Sequence, residues 1–371
     1  MLLHLVPSIH EVYGFGPEEN TTEALQSRFN ATCPFIGGRC DGGGNRHQTK
    51  IKLGTSPLRD SFEQSLDSVV PGICSIQHGD TVWVVCPRRL LGFGGSYELG
   101  QVNYALQEHE RETLLAAGLP AGIELGIWAE VYLNYGDDET TINYHFDFVV
   151  SELHRTSSFN QMISHYGTLE DAERSELLAA ARKGQYIQGR LDEDAALSVL
   201  PNLEHPYIIE VMTASTSGSD TSAGTDIASS FSNAILGKSH TCPGINKRQV
   251  WGRMATQLFA KSALADAWGG KTIWIVQDEL LKNIALTTKL SMTAGDKFNG
   301  VDKISFVSLS YRQGDRGNYS MEVVELYEKI AGLDFTGSGM CVDILLPKVY
   351  PCKKELLKSV LRRKLSAVIV L

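Results

Sequence analysis

Apolar residues recur along the chain with two periods, one strand-like and one helix-like. The clearest strand is His205-Pro206-Tyr207-Ile208-Ile209-Glu210-Val211-Met212-Thr213, rich in β-branched and aromatic residues, with Pro206 at its entry. Alternation puts Tyr207, Ile209 and Val211 on one face and Ile208, Glu210 and Met212 on the other. Thr140–Val150 reads as a second strand, in which His145, Asp147 and Val149 share a face. Ile123–Leu133 precedes it as a strand or a short helix–strand unit, and Asn134–Asp138 forms the turn between them. Lys271–Gln277, Val301–Tyr311 and Met340–Leu346 are further short apolar runs of strand character.

Helical spacing is strongest over 246–268, where Val250, Met254, Leu258, Ala265 and Trp268 make one stripe ahead of Gly269-Gly270. Gln101–Ala117 is a second helix, stopped by Gly118-Leu119-Pro120. Thr22–Phe29 is a short amphipathic helix, Asp226 opens another that runs to Leu236, and a basic helix starts at Cys352. Between the Asp147 and Glu210 strands, residues 153–204 are polar and helical. There Thr168 and Asp171 form a capping box for Glu173–Arg182, and a shorter helix runs from about Asp192 to Leu200. Residues 213–225 are a Ser/Thr/Gly-rich loop. From Cys33 to about Gly100 the chain is Gly-rich, with the strand Thr81–Val85 leading into Cys86-Pro87. The pattern predicts an α/β protein with an N-terminal subdomain over 1–100 and a core over 101–371, carrying a helical insert at about 153–204.

Composition adds a soluble globular class, with 43% hydrophobic and 21% charged residues. The apolar runs are too short to cross a bilayer, and Met1–Gly16 has no basic leader, so the expected location is cytoplasmic. A net charge of −9 argues against bulk affinity for nucleic acid but leaves room for a local basic surface. Lysines and arginines cluster around Arg46 and Lys50, at Arg88-Arg89, between Lys238 and Arg253, and between Lys353 and Lys364.

Candidate chemistry sits in the two acid-bearing strands and in the cysteines. Glu210, inside an apolar strand, is either a core carboxylate held by a cation or backbone amides, or a metal ligand. Asp147 lies in a second apolar strand, and a divalent cation would remove the repulsion between two buried acids brought close. Four of seven cysteines, Cys33, Cys40, Cys74 and Cys86, fall early in the chain, separated by six, thirty-three and eleven residues. In a reducing compartment such a set favours zinc or a rubredoxin-like iron over disulfides, with four free buried thiols as the alternative.

These pieces, in order, resemble the NotI-type restriction endonucleases. The matching segments are Thr32-Cys33-Pro34-Phe35, Val84-Val85-Cys86-Pro87, Phe146-Asp147-Phe148 with Glu152, and Tyr207 to Thr213. Asp226-Ile227-Ala228 and the helix from Met254 to Leu264 complete the set. The resemblance implies a restriction-endonuclease-like PD-(D/E)XK core, a mixed sheet flanked by helices, with an N-terminal four-cysteine metal subdomain. It implies Mg²⁺ held by Asp147 and Glu210, an additional active-site acid at Glu130, and iron (alternatively zinc) held by Cys33, Cys40, Cys74 and Cys86. It further implies a homodimer in the bacterial cytoplasm that cuts GC-rich palindromic double-stranded DNA, beside a cognate DNA methyltransferase. Arg39, Arg46, Arg248, Arg253, Arg312 and Arg316 are candidates for reading guanine.

Two departures stand out. The family carries Gln two residues after the Glu, whereas this chain has Met212, whose thioether cannot orient water as an amide does. Thr213 or Glu130 would then take that role, or the copy is weakened. The gap between Asp147 and Glu210 is also longer, by roughly the polar insert. The competing readings are a metal-stapled, sequence-specific DNA-binding protein without cleavage, and a nuclease-fold DNA-repair protein.

Overall fold

The apolar runs build one eight-stranded mixed sheet and one small N-terminal sheet. The structure, a computed structural model, describes residues 6–44, 50–93, 106–136, 141–154, 157–187, 196–197, 199–217, 221–288, 292–294, 304–313, 319–330 and 350–371. The N-terminal sheet contains β1 (Ser8–Val12), β2 (Ile73–His78) and β3 (Thr81–Val84), antiparallel in that order. The main sheet contains β4 (Glu124–Gly136), β5 (Thr141–His154), β6 (Leu200–Met212), β7 (Lys271–Gln277), β8 (Met292–Ala294), β9 (Ile304–Gln313), β10 (Tyr319–Ile330) and β11 (Ala367–Val370). Their spatial order is β8-β10-β9-β7-β6-β5-β4-β11. The central strands β6, β7 and β9 run parallel to their neighbours in that trio, and every other pairing is antiparallel.

The helices are α1 (Thr22–Asn30), α2 (Glu108–Ala116), α3 (Phe159–Ser164), α4 (Asp171–Lys183), α5 (Ile227–Ile235), α6 (Arg248–Ala267), α7 (Asp278–Thr288) and α8 (Lys353–Leu361). Parallel strands need crossovers, and here α6 connects β6 to β7 while α7 lies between β7 and β9. One sheet face packs Trp128, Phe146 and Ile208 against Leu177 of α4, Trp268 and Leu357 of α8. The other packs Ile127, Phe148, Ile209 and Ile273 against Leu114 of α2. Fully burying such a side chain contributes about 1.5–3 kcal/mol. Ile208 and Ile209 therefore serve opposite layers, as their alternation requires.

Several boundaries differ from the sequence expectation. The helix expected over 101–117 begins only at Glu108, where Gln107 caps it and Glu110 reaches back to the Gln107 N–H at 3.0 Å; 101–105 lie outside the described residues. The second oxygen of Glu110 accepts from Gly92 N–H at 2.7 Å, which ties the helix start to the end of the cysteine module. Helix α4 is capped by Glu170 with Glu173 rather than by Thr168 with Asp171. Of the helix expected from about Asp192 to Leu200, the described residues are not helical: Ala196–Leu197 pair with Ser157–Ser158, and Leu200 already belongs to β6. The insert thus contracts to 155–199. Strand β6 starts earlier than His205 because an irregularity between Asn202 and Tyr207 absorbs Pro206, which has no N–H to donate. The expected strand Met340–Leu346 lies outside the described residues. The tail, expected to be a basic helix from Cys352 onward, is helical only over Lys353–Leu361; its apolar end is the edge strand β11 against β4. Among the described residues, no helix is long and apolar enough to cross a membrane.

The N-terminal module has its own core, in which Tyr13 and Phe62 pack with Phe231 of α5, a helix from the second half of the chain. Three polar contacts dock the module on the main sheet. Gln277, at the end of β7, accepts from Val84 N–H at 2.9 Å and donates to the Val82 carbonyl at 2.6 Å. Just past the Glu210 strand, Ala214 N–H donates to the Val84 carbonyl at 3.0 Å. The third contact is fully buried: Arg89 pairs with Glu11 at 3.1 Å, and Ser75 and Tyr311 both donate to the same carboxylate. Because every partner is present, the desolvation of this pair is offset; removing one partner of such a pair costs about 3–5 kcal/mol.

Candidate active site

Glu130 and Asp147 stand where two strands exchange faces. On β4, Trp128 enters the α4/α8 layer and Ala129 the α2 layer, yet Val131 returns to the α4/α8 layer. On β5, Phe146 and Phe148 lie two apart but in opposite layers, and Val149 follows Phe146 rather than sharing a face with Asp147. The register pairs Ala129 with Phe148 and Val131 with Phe146, so Glu130 and Asp147 fall opposite each other. Glu130 achieves the switch with φ 54°, a left-handed conformation that costs a non-glycine residue about 1–2 kcal/mol. Both acids are thereby turned out of the core layers into a cleft.

That cleft holds Glu130, His145, Asp147, Glu210 and Lys261 together. His145 Nε2 lies 2.5 Å from Glu130 Oε2, and Tyr132 stacks on the imidazole with ring centroids 4.4 Å apart. Burial raises the Glu130 carboxyl, but the His145 hydrogen bond and charge, with Arg88 and Arg363, outweigh it and hold the group below its ordinary value. Val211 N–H donates to Asp147 Oδ2 at 2.9 Å, fixing this carboxylate against the neighbouring acid strand. Burial pushes Asp147 up, opposed by Lys261 and that N–H.

Glu210 is 3% exposed. Burial raises its pKa to about 8; Asp147 adds to the shift and Lys261 opposes it. Lys261 Nζ contacts Glu210 Oε2 at 2.5 Å, whereas Glu210 Oε1 has no hydrogen-bond partner among the described residues. An orphaned buried carboxylate oxygen beside a second acid is an arrangement a divalent cation would complete. Asp147 and Glu210 therefore fit as cation ligands, with Glu130 further along the same wall.

Helix α6 forms the opposite wall. Arg253, Gln257 and Lys261 are spaced by four and line the cleft, while Val250, Met254 and Leu258 pack inward against Trp83, Trp274 and Val276. Met212 is partly buried against that inward face. The cysteine module supplies the rim through Gly43, Pro87 and Arg88. Arg88 is held by Asp41, whose Oδ2 accepts from both Nε and Nη2 at 3.1 Å.

Cys33, Cys74 and Cys86 are buried in one cluster with Cys40 beside them. Gly14 N–H donates to the Cys74 sulfur at 3.3 Å, and the backbone N–H groups of Phe35 and Ile36 at Cys33, of Gly42 at Cys40 and of Arg88 at Cys86 favour the thiolate form. Four of these N–H groups, at three of the sulfurs, come from residues two or three places further on, so the chain turns around the sulfur as a thiolate knuckle does. Burial pushes all four thiols upward, Cys40 to about 12, and neighbouring sulfurs add to the shift at Cys40, Cys74 and Cys86. Shifted upward, the four groups stand as thiols in this arrangement; as thiolates they would offer a soft donor set of the kind that suits iron or zinc. Among the described residues no three His, Cys, Asp or Glu side chains stand at closed coordination spacing. Gly43, at φ 76°, is required where the first cysteine loop meets the last: a Cβ there would lie 2.9 Å from both Cys86 Sγ and Pro87 Cδ.

Of the expected base-reading arginines, Arg253 lines the cleft and Arg39 is exposed. Arg46 and Arg316, and the side chains of Arg248 and Arg312, lie outside the described residues. Lys261, Gln257 and His145 carry no site role in the sequence reading, and Arg88 figures there only as part of a candidate basic cluster. The signal for the first two was present as a polar i, i+4 stripe, with Arg253, on the flank of the apolar one. In comparisons with protein-family models, curated proteins and solved structures, the chain matches none.

Proposed function

We propose that this protein is a metal-dependent endonuclease with a PD-(D/E)XK-like site, hydrolysing phosphodiester bonds of double-stranded DNA. The observation that carries the reading is the convergence of Asp147 and the orphaned, buried Glu210 on adjacent strands in one cleft rimmed by Arg88 and Arg253. Asp147 and Glu210 would hold Mg²⁺, which when bound neutralises phosphate charge and acidifies water. Hydrolysis joins a water oxygen to phosphorus, breaks one phosphorus–oxygen ester bond, and leaves the electron pair on a sugar oxygen that gains a proton. Arg88 and Arg253 supply positive charge for the flanking phosphates, so a chain of net charge −9 still presents a cationic rim. The four cysteines would hold iron or zinc as a staple that keeps the Arg88 rim in place. Cleavage of a palindromic GC-rich site by a homodimer is the form of this activity that the NotI-type resemblance suggests.

Purified protein is expected to nick and linearise plasmid DNA in Mg²⁺ and to be silent in EDTA. Failure to break either strand in Mg²⁺ or Mn²⁺, with DNA still bound, would favour the binding-protein reading that Met212 raises.

Cation binding should also depend on pH. Below about pH 8 the cation-free Glu210 keeps a proton that an incoming cation must displace. Calorimetry with Ca²⁺ should therefore show affinity rising by roughly tenfold per pH unit from pH 6 toward 8, then levelling. An affinity flat across that window would remove Glu210 from the ligand set.

A further inference from the structure

We propose that Lys261, carried on α6, is the third functional group of this site and does from the helix what Met212 on the strand has no chemistry to do. The assignment rests on the nuclease reading above. Met212 follows Glu210 by two and shares its face, but its side chain packs against the α6 cluster of Val250 and Met254 and offers only a thioether. Lys261 comes from the helix covering that same face. Its ammonium lies 2.5 Å from Glu210 Oε2, its side chain is 6% exposed, and it lines the cleft that contains Asp147 and Glu130.

A counter-ion with only a structural task would be enclosed by its partner. Lys261 has three N–H donors, of which Glu210 takes one among the described residues, and it faces the cleft. The ammonium also lies over the Phe146 ring, 5.7 Å from its centroid. Gln257 and Arg253 continue the same wall one and two turns earlier, so the helix presents a polar stripe to the acids. In the reaction Lys261 acts only through its N–H groups. These hold the attacking water oxygen and stabilise the charge growing on the non-bridging phosphate oxygens; as the new oxygen–phosphorus bond forms, the water gives up a proton to solvent, and as the ester bond breaks the sugar oxygen takes one from solvent.

The test uses the full-length protein and separates cleavage from cation binding. Lys261→Ala is expected to lower kcat by about 10²–10³-fold at saturating Mg²⁺, with KM for DNA changed by less than about threefold. Ca²⁺ affinity measured by calorimetry should rise in the same variant, because a cation competing for Glu210 has gone. Should the alanine variant not fold, Lys261→Gln, which retains one donor to Glu210, is expected to show the same opposed pair of changes. Cleavage within about threefold of wild type would overturn the assignment, as would a parallel loss of cleavage and Ca²⁺ affinity, the mark of a purely structural ion pair. A wild-type protein that binds Ca²⁺ but never cuts would instead sink the nuclease reading, and this assignment with it.

Discussion

Asp147→Asn and Glu210→Gln are each expected to lower DNA cleavage by about 10³-fold or more while leaving DNA binding intact. Losing a charged ligand from a site that stabilises a phosphoryl transition state removes several kcal/mol, and each 1.36 kcal/mol is tenfold in rate. The amide replacements are chosen for folding reasons. An Asn at 147 still has an oxygen for the Val211 N–H, which now bonds Asp147 at 2.9 Å. A Gln at 210 keeps an oxygen for Lys261, whereas Glu210→Ala would strand a buried ammonium that is only 5% exposed. Binding should survive, because Arg88 and Arg253 at the rim are untouched. Single-turnover cleavage and gel-shift titration in Ca²⁺ measure the two quantities separately. Either variant cutting at the wild-type rate would dissolve the acid pair as a catalytic unit.

Cys86→Ser is expected to have the largest effect on the folded state. Cys86 is buried, and its sulfur lies against Gly43 of the first cysteine loop. A serine hydroxyl is a poor ligand for a soft cation, and structural metal sites contribute folding free energy directly. The variant should lose most of its bound metal, about one equivalent per chain in the wild type by elemental analysis. Its melting midpoint should fall by roughly 10 °C or more. Cleavage should fall too, since Pro87 and Arg88, the next two residues, rim the acid cleft. Concentrated wild-type protein should be reddish and bleached by dithionite if the metal is iron; a colourless protein with stoichiometric zinc would assign the alternative. A metal-free wild type that melts where Cys86→Ser does would remove the staple altogether.

Much of the frame was legible in the chain because burial writes itself as periodicity. Lys271–Gln277 is a strand over the span its run of apolar residues marked, and the Val250-Met254-Leu258 stripe of α6 packs inward as spaced. What was not legible came from tertiary partners. Strand β11 forms because β4 offers an edge, a fact that no local pattern in Ala367–Val370 carries. Strict alternation also failed at Asp147, since the face exchange depends on the left-handed Glu130 across the strand pair. Asp147 and Glu210 could be singled out as acids in apolar strands. Lys261 could not, because its significance arises only when α6 folds over β6. The four cysteines could be grouped, but the N–H groups that wrap their sulfurs appear only with the turns in place.

The most direct measurement is to digest genomic DNA with the purified wild-type protein in Mg²⁺, sequence the fragment ends, and repeat with Asp147→Asn. The expected result is wild-type ends that share one sequence, palindromic if the protein acts as a two-fold dimer, and uncut DNA with the variant. Intact DNA in the wild-type lane, or identical ends from both proteins, would contradict it.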